Sequence, residues 1–237
     1  MSTFADSLLV AMEMMWRLDD ELLGIVALSL RVSVTACAIG AGIGLAGGAL
    51  LAVARFPGHG LLVWLVNTLL ALPSVVVGLL VYLLLSRSGP LGELGILFTP
   101  SAMVVAQSIL VVPLIAALTR RLVLDALREG GEQLRSMGAS QAQSALLMLL
   151  HERLGVATIL LAALGRAVAE VGAVMIVGGN IAGVTRVMTT AIALETTKGD
   201  LPLALGLGLV LLGVVGLLHA VIALAHPRES LVREAMA

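Results

Sequence analysis

The stretch Arg120–Arg153, RRLVLDALREGGEQLRSMGASQAQSALLMLLHER, decides how the rest of the sequence is read. It is a polar island between long apolar runs, carrying Arg120, Arg121, Asp125, Arg128, Glu129, Glu132, Arg135, Glu152 and Arg153. Glycines divide it at Gly130-Gly131 and Gly138, and glycine is about 1 kcal/mol poorer than alanine inside a helix. The spacing predicts a short helix over Glu132–Met137, with an acid in its first turn to complement the helix dipole. Gly138 then ends it in a left-handed conformation. Ser140 caps a second helix over Gln141–Leu150. Leu134 and Met137, three apart, share a face. On spacing alone the island is either a transverse interfacial helix with work to do or a plain re-entry loop.

Around the island the chain is 59% hydrophobic and 12% charged over 237 residues, with mean hydropathy +1.10. A soluble domain carries about 25% charge, so this composition belongs in lipid. A net charge of -1 gives no basic footprint for nucleic acid. The single cysteine, Cys37, excludes an internal disulfide, and scattered histidines give no zinc spacing, so no metal is expected.

A bilayer crossing needs about 20 apolar residues. Five segments qualify, at about 22–54, 61–85, 101–119, 154–179 and 201–225, giving an all-α, polytopic membrane protein with one transmembrane domain over 22–225. The first contains Gly40, Gly44 and Gly48, whose four-residue spacing suits close helix packing, or alternatively pore lining. Pro73 and Pro113 sit inside the second and third, where each frees a backbone carbonyl. Arg55–Gly60 reads as a tight turn. Residues 1–21 precede the first span, with Phe4, Leu8, Met12, Met15 and Trp16 at helical spacing. They read as an external interfacial helix or a simple leader. The first basic residue, Arg17, follows Asp6 and Glu13, unlike a secretory signal. Residues 226–237 form a tail.

Orientation follows from Lys and Arg. Arg55, Arg120, Arg121, Arg128, Arg135, Arg153, Arg228 and Arg233 fall on one side, against Arg17, Arg87, Arg186 and Lys198 on the other. The bias places the island and the C-terminus in the cytoplasm and the N-terminus outside, which five crossings require. In the fourth span Arg166 and Glu170 share a helix face. Charges at such depth line a pathway or pair structurally. The interval Asn180–Asp200 reads as an external loop, with Asn180, Thr185, Arg186, Thr189, Thr190 and Glu195 as candidates for receiving solute or docking a partner.

GEQLRSMGAS resembles the cytoplasmic signature of ABC importer permeases, Glu-Ala-Ala-x-x-x-Gly. Glu132 stands for its Glu and Gly138 for its Gly, while Gln133 and Leu134 replace the alanines. The family's Ile-x-Leu-Pro falls on Met148 to His151, with His151 in place of proline. Gly165–Asp200, GRAVAEVGAVMIVGGNIAGVTRVMTTAIALETTKGD, is similar to the molybdate and tungstate branch, most of all to tungstate permeases. The resemblance implies a type I importer fold and a homodimer in the inner membrane. It further implies two ATPase subunits that bind ATP and Mg, and an external oxyanion-binding protein. Glu132, Gln133, Leu134, Arg135, Met137, Gly138, Ala139 and Ser140 would then form the coupling helix. The only lysine, Lys198, lies outside any Gly-x-x-x-x-Gly-Lys loop, so ATP hydrolysis belongs to another polypeptide. Alternative readings are a molybdate, sulfate or amino-acid importer, an intramembrane enzyme using Glu170 and His219, or a scaffold.

Overall fold

The computed structural model describes residues 20–225, and every regular element among them is helical. The expected tail 226–237 and all but the end of segment 1–21 lie outside the described residues.

Two long helices form the spine: α1, Asp20–Val53, and α4, Pro100–Ser136. They pack closely because small residues of α1 face α4. A Cβ on Gly40 would sit 2.9 Å from Val111 Cγ1, and one on Gly44 would sit 2.8 Å from Ile115 Cβ. One on Gly48 would collide with the Ala116 carbonyl oxygen. In lipid no hydrophobic drive brings helices together, so backbone proximity of this kind supplies the association. Three buried clusters are threaded on this spine. Val32, Ala102, Met103 and Ala106 belong to the first, Cys37, Val111 and Ile115 to the second, and Ala49 and Val123 to the third. Leucines, isoleucines and valines on the outer faces, such as Ile43 and Leu50 at 57%, stay exposed, as a lipid-facing surface allows.

The turn at Arg55–Gly60 forms around Gly58, whose φ is +89°. The predicted span over 61–85 is not straight. It comprises α2, His59–Leu69, and α3, Ser74–Leu85, bent by 102°. Tight i→i+3 bonds from Leu70, Ala71 and Leu72 to the carbonyls of Asn67, Thr68 and Leu69 unwind α2 before Pro73. Proline disfavours helical torsions in the residue before it. Pro113, by contrast, is buried inside an unbroken α4. The two prolines therefore act differently, and only Pro73 marks a bend.

After a 3-10 turn at Gly92–Leu94, α4 continues far beyond the expected end at 119. The predicted break at Gly130-Gly131 and the separate helix Glu132–Met137 are corrected by the structure, since α4 passes through both. Gly130 is not a breaker here. A Cβ on it would lie 2.9 Å from Met148 Cε, so it gives room to α5, Gln141–His151. Packing outweighs the propensity penalty.

The chain then turns 75° into α6, Arg153–Val168. The predicted fourth span, 154–179, is α6 plus the short α7, Gly172–Gly178, separated at Ala169–Val171. Gly78 of α3 packs on α7, where a Cβ would lie 2.8 Å from Ala173 Cα. The last elements are α8, Met188–Lys198, and α9, Leu201–Ala225. Among the described residues, three helices are long and apolar enough to cross a bilayer each, or up to five segments if each bent pair forms one span.

Candidate functional site

At the end of α4 the backbone makes a defined elbow. Ala139 N–H donates to the Leu134 carbonyl at 3.0 Å and Gly138 N–H to the Arg135 carbonyl at 3.0 Å. With Gly138 at φ +85°, this is the paired-bond helix stop that favours glycine. Arg135 lies in the last turn, where a cation suits the carbonyl end of the helix dipole. Ser140 starts α5 with a reciprocal cap. Gln143 N–H donates to Ser140 Oγ at 3.3 Å, and Ser140 N–H donates to Gln143 Oε1 at 2.9 Å. Ala145 and Ser144 are buried against the spine, so α5 is anchored rather than adrift.

The elbow encloses a cleft of about 490 Å³ whose walls include Glu129, Gln133, Leu134, Met137, Leu147, Met148 and His151. Leu134 and Met137 thus meet at one surface, with Met137 74% exposed. Glu132 does not start a helix, because it lies near the end of α4 and is exposed. The acid-first-turn argument for it therefore fails. Sequence reasoning missed the α5 wall, although Leu147, Met148 and His151 recur at one-face spacing.

In the broken fourth span, Arg166 Nη1 and Glu170 Oε2 are 3.7 Å apart, with side chains 50% and 5% exposed. Glu170 also accepts from Ala173 N–H at 3.3 Å, joining the two sides of the break. Its carbonyl accepts from Thr189 Oγ1 at 2.7 Å, and the Ala167 carbonyl accepts from buried Gln107 Nε2 at 3.0 Å. The break is therefore held by side chains of two other elements. His219 is committed to the Val215 carbonyl at 2.9 Å, on its own helix.

Replacing Glu170 with alanine leaves the Ala173 N–H without its buried acceptor. The expected loss is about 1–3 kcal/mol of stability. Glu170→Gln keeps an acceptor oxygen and loses much less. Thermal unfolding of both variants in detergent checks the order. Equal losses would show that the ion pair, not the capping bond, dominates.

The reading of 180–200 as a loop is also corrected, because α8 occupies Met188–Lys198. Thr185, Thr189, Thr190 and Glu195 are buried. Thr185 Oγ1 donates to the Gly178 carbonyl at 2.6 Å and Thr190 Oγ1 to the Val187 carbonyl at 3.1 Å. Glu195 Oε1 accepts from Lys198 Nζ at 2.9 Å. Met188 N–H donates to Ser29 Oγ at 2.8 Å, which ties α8 to α1. These groups hold the fold in this conformation and offer little to a visiting solute. Asn180, at φ +50°, and Arg186 are the more exposed of the six.

No protein-family model matches the chain. Individual relatives do. The tungstate uptake system permease protein TupB of Peptoclostridium acidaminophilum is 40% identical over 222 residues, covering 94% of this chain and 97% of that protein. The chain belongs to the ABC transporter permeases. A probable anion ABC transporter permease protein of Haloferax volcanii is 41% identical over 82% of this permease and 86% of its own length. The sulfate transport system permease protein CysT of Escherichia coli is 31% identical over 67% of this permease and 60% of its own length. Membership and the apolar helices make the permease a multi-pass membrane protein and a subunit of an ABC importer. That assignment agrees with the resemblance in GEQLRSMGAS and Gly165–Asp200.

Proposed function

We propose that the permease forms the translocation pathway of an importer for tungstate, working as a homodimer in the inner membrane. Its N-terminus would lie outside and its C-terminus in the cytoplasm. Two copies of a separate ATPase would dock at the elbow, and an external oxyanion-binding protein would deliver solute on the opposite face.

The observation that carries the coupling role is the reach of α4. Its 37 residues extend about 55 Å at about 1.5 Å per residue. The hydrocarbon core is about 30 Å thick, a distance filled by the uncharged run Pro100–Thr119. The charged remainder projects out of lipid and ends on the elbow. Helix α4 is packed along α1, so a push on Glu132–Ser140 acts on a rigid lever. Closure of the ATPases would rock two such levers between inward-open and outward-open arrangements. ATP and Mg²⁺ belong to that partner. The residues here do not fit a nucleotide site, because Lys198 is paired with Glu195 and has no phosphate loop around it.

In this reading Arg166, half exposed, presents guanidinium surface to the passing anion, while Glu170 fixes the break beside it. A weak contact serves transport better than a tight one, since the solute must leave. The tungstate assignment draws on two relatives named as tungstate uptake permeases, at 40% and 43% identity.

Co-purification with the ATPase, followed by ATP-dependent uptake of labelled tungstate into proteoliposomes, tests this function. Unlabelled tungstate is expected to compete best, ahead of molybdate and sulfate. Equal or better competition by another oxyanion would move the substrate, and failure to bind any ATPase would overturn the coupling role.

A further inference from the structure

We propose that the permease carries a second anion site, for a phosphate-like tetrahedral group, in a pocket where the elbow meets the end of α1. The pocket has a volume of about 190 Å³, roughly the space of six waters in the liquid. Three arginines line it, Arg55 after α1, Arg128 on α4 and Arg135 in the last turn of α4, with Gln141 and Ser144 from α5. None of the lining residues is acidic.

All three arginines are exposed, so water weakens their mutual repulsion, and an anion seated between them would remove what remains of it. Arg128 is shared with Asp125 at 2.8 Å. Among the described residues, no carboxylate lies within 4.0 Å of Arg55 or Arg135. Ser144 gives a second, independent sign. It is 2% exposed, and its hydroxyl has no hydrogen-bond partner among the described residues. Buried hydroxyls are nearly always paired. Guanidinium groups suit tetrahedral oxyanions because they donate two parallel bonds to adjacent oxygens, and Ser144 and Gln141 supply neutral donors beside them.

Ala52, Val53, Leu124 and Leu127 form the apolar part of the same wall. The shared chemistry is thus a phosphate group with an apolar neighbour permitted. A free oxyanion and the headgroup of an anionic phospholipid both supply it, and basic pockets between spans take such headgroups. An occupied site would fasten α5 and the end of α4 to the end of α1. The anion would then stiffen the elbow and bias how it moves. The placement of this pocket at the cytoplasmic face rests on the proposed orientation, whereas binding itself does not.

The test uses the whole permease in nanodiscs of phosphatidylcholine alone or mixed with phosphatidylglycerol, and reads the unfolding temperature. Inorganic phosphate is titrated at fixed ionic strength against chloride. A saturable rise with phosphate in phosphatidylcholine identifies a free oxyanion as ligand. A rise with phosphatidylglycerol but not phosphate identifies the headgroup. In either case Arg55→Gln and Arg135→Gln are expected to weaken the midpoint by about tenfold or more. Arg121→Gln, an exposed arginine outside the pocket lining, is expected to leave it unchanged. No rise with either ligand, or a rise that persists in both Gln variants, overturns the site. These readouts need only a folded permease, so their failure is separable from failure of the importer reading, which shows in ATPase binding and uptake.

Discussion

Gly48→Val is expected to be the most damaging single substitution in the spine. Even an alanine Cβ at this position would collide with the Ala116 carbonyl oxygen and lie 2.8 Å from Thr119 Cβ. The first obstacle is main chain, which cannot rotate away as a side chain can. Two branches more would force α1 and α4 apart along a stretch where Ala49 and Val123 are packed in one cluster. Overpacking typically costs about 1–3 kcal/mol, and separating the helices adds lost contacts over neighbouring turns. We expect a loss of about 3 kcal/mol or more, with much less folded permease recovered from membranes. Gly47→Val is the matched control, since nothing lies within 4 Å of a Cβ there. Reversible unfolding of both variants in mixed micelles measures the difference. Equal stability of the two would mean that the glycines at 40, 44 and 48 are not what brings the helices together.

What the sequence disclosed and what it concealed divide along physical lines. Composition and run length announce helices for lipid, because every backbone group there must be satisfied within its own segment. The stop at Gly138 and the start at Ser140 were legible because caps depend on one or two residue types. Direction was not. A hydropathy run counts apolar residues and is blind to the 102° bend at Leu70–Pro73 or to the break at Ala169–Val171. Local propensity also misled at Gly130-Gly131, where room for Met148 matters more than helix preference. The stretch from Thr185 to Glu195 looked solvated because it is polar. Its hydroxyls instead satisfy the carbonyls of Gly178, Val187 and Glu170, partners that only the folded chain brings near. Among the candidate site residues, Gln133, Leu134 and Met137 of the elbow line one cleft and Arg135 lines another pocket, while most of those between 180 and 195 turn inward.

Gly138→Val is expected to separate ATP hydrolysis from uptake while leaving the spans in place. The position has φ +85°, and nothing lies within 4 Å of an added Cβ, so the penalty is torsional rather than steric. A left-handed conformation costs an L-residue about 1–2 kcal/mol, and a β-branched one is a worse fit still. Relaxing that strain changes the torsions at the elbow, which breaks the bonds from Ala139 and Gly138 to the Leu134 and Arg135 carbonyls. The direction of α5 relative to α4 is set by those bonds, by the Ser140 cap and by the burial of Ser144 and Ala145 against the spine. A small torsional change therefore shifts Leu147 and Met148 of α5 relative to Leu134 and Met137, which reshapes the cleft the four residues line. The three buried clusters lie along the spine and do not include Gly138, so global stability should fall by no more than about 2 kcal/mol. Uptake should fall about tenfold or more, because 1.4 kcal/mol of lost coupling is already a factor of ten. ATPase activity would persist without responding to loaded binding protein. Gly138→Asn, which tolerates the left-handed region, should restore much of the coupling. Rescue by asparagine but not by alanine or valine would assign the defect to backbone geometry. Wild-type uptake in Gly138→Val would mean that the elbow does not transmit the motor's stroke.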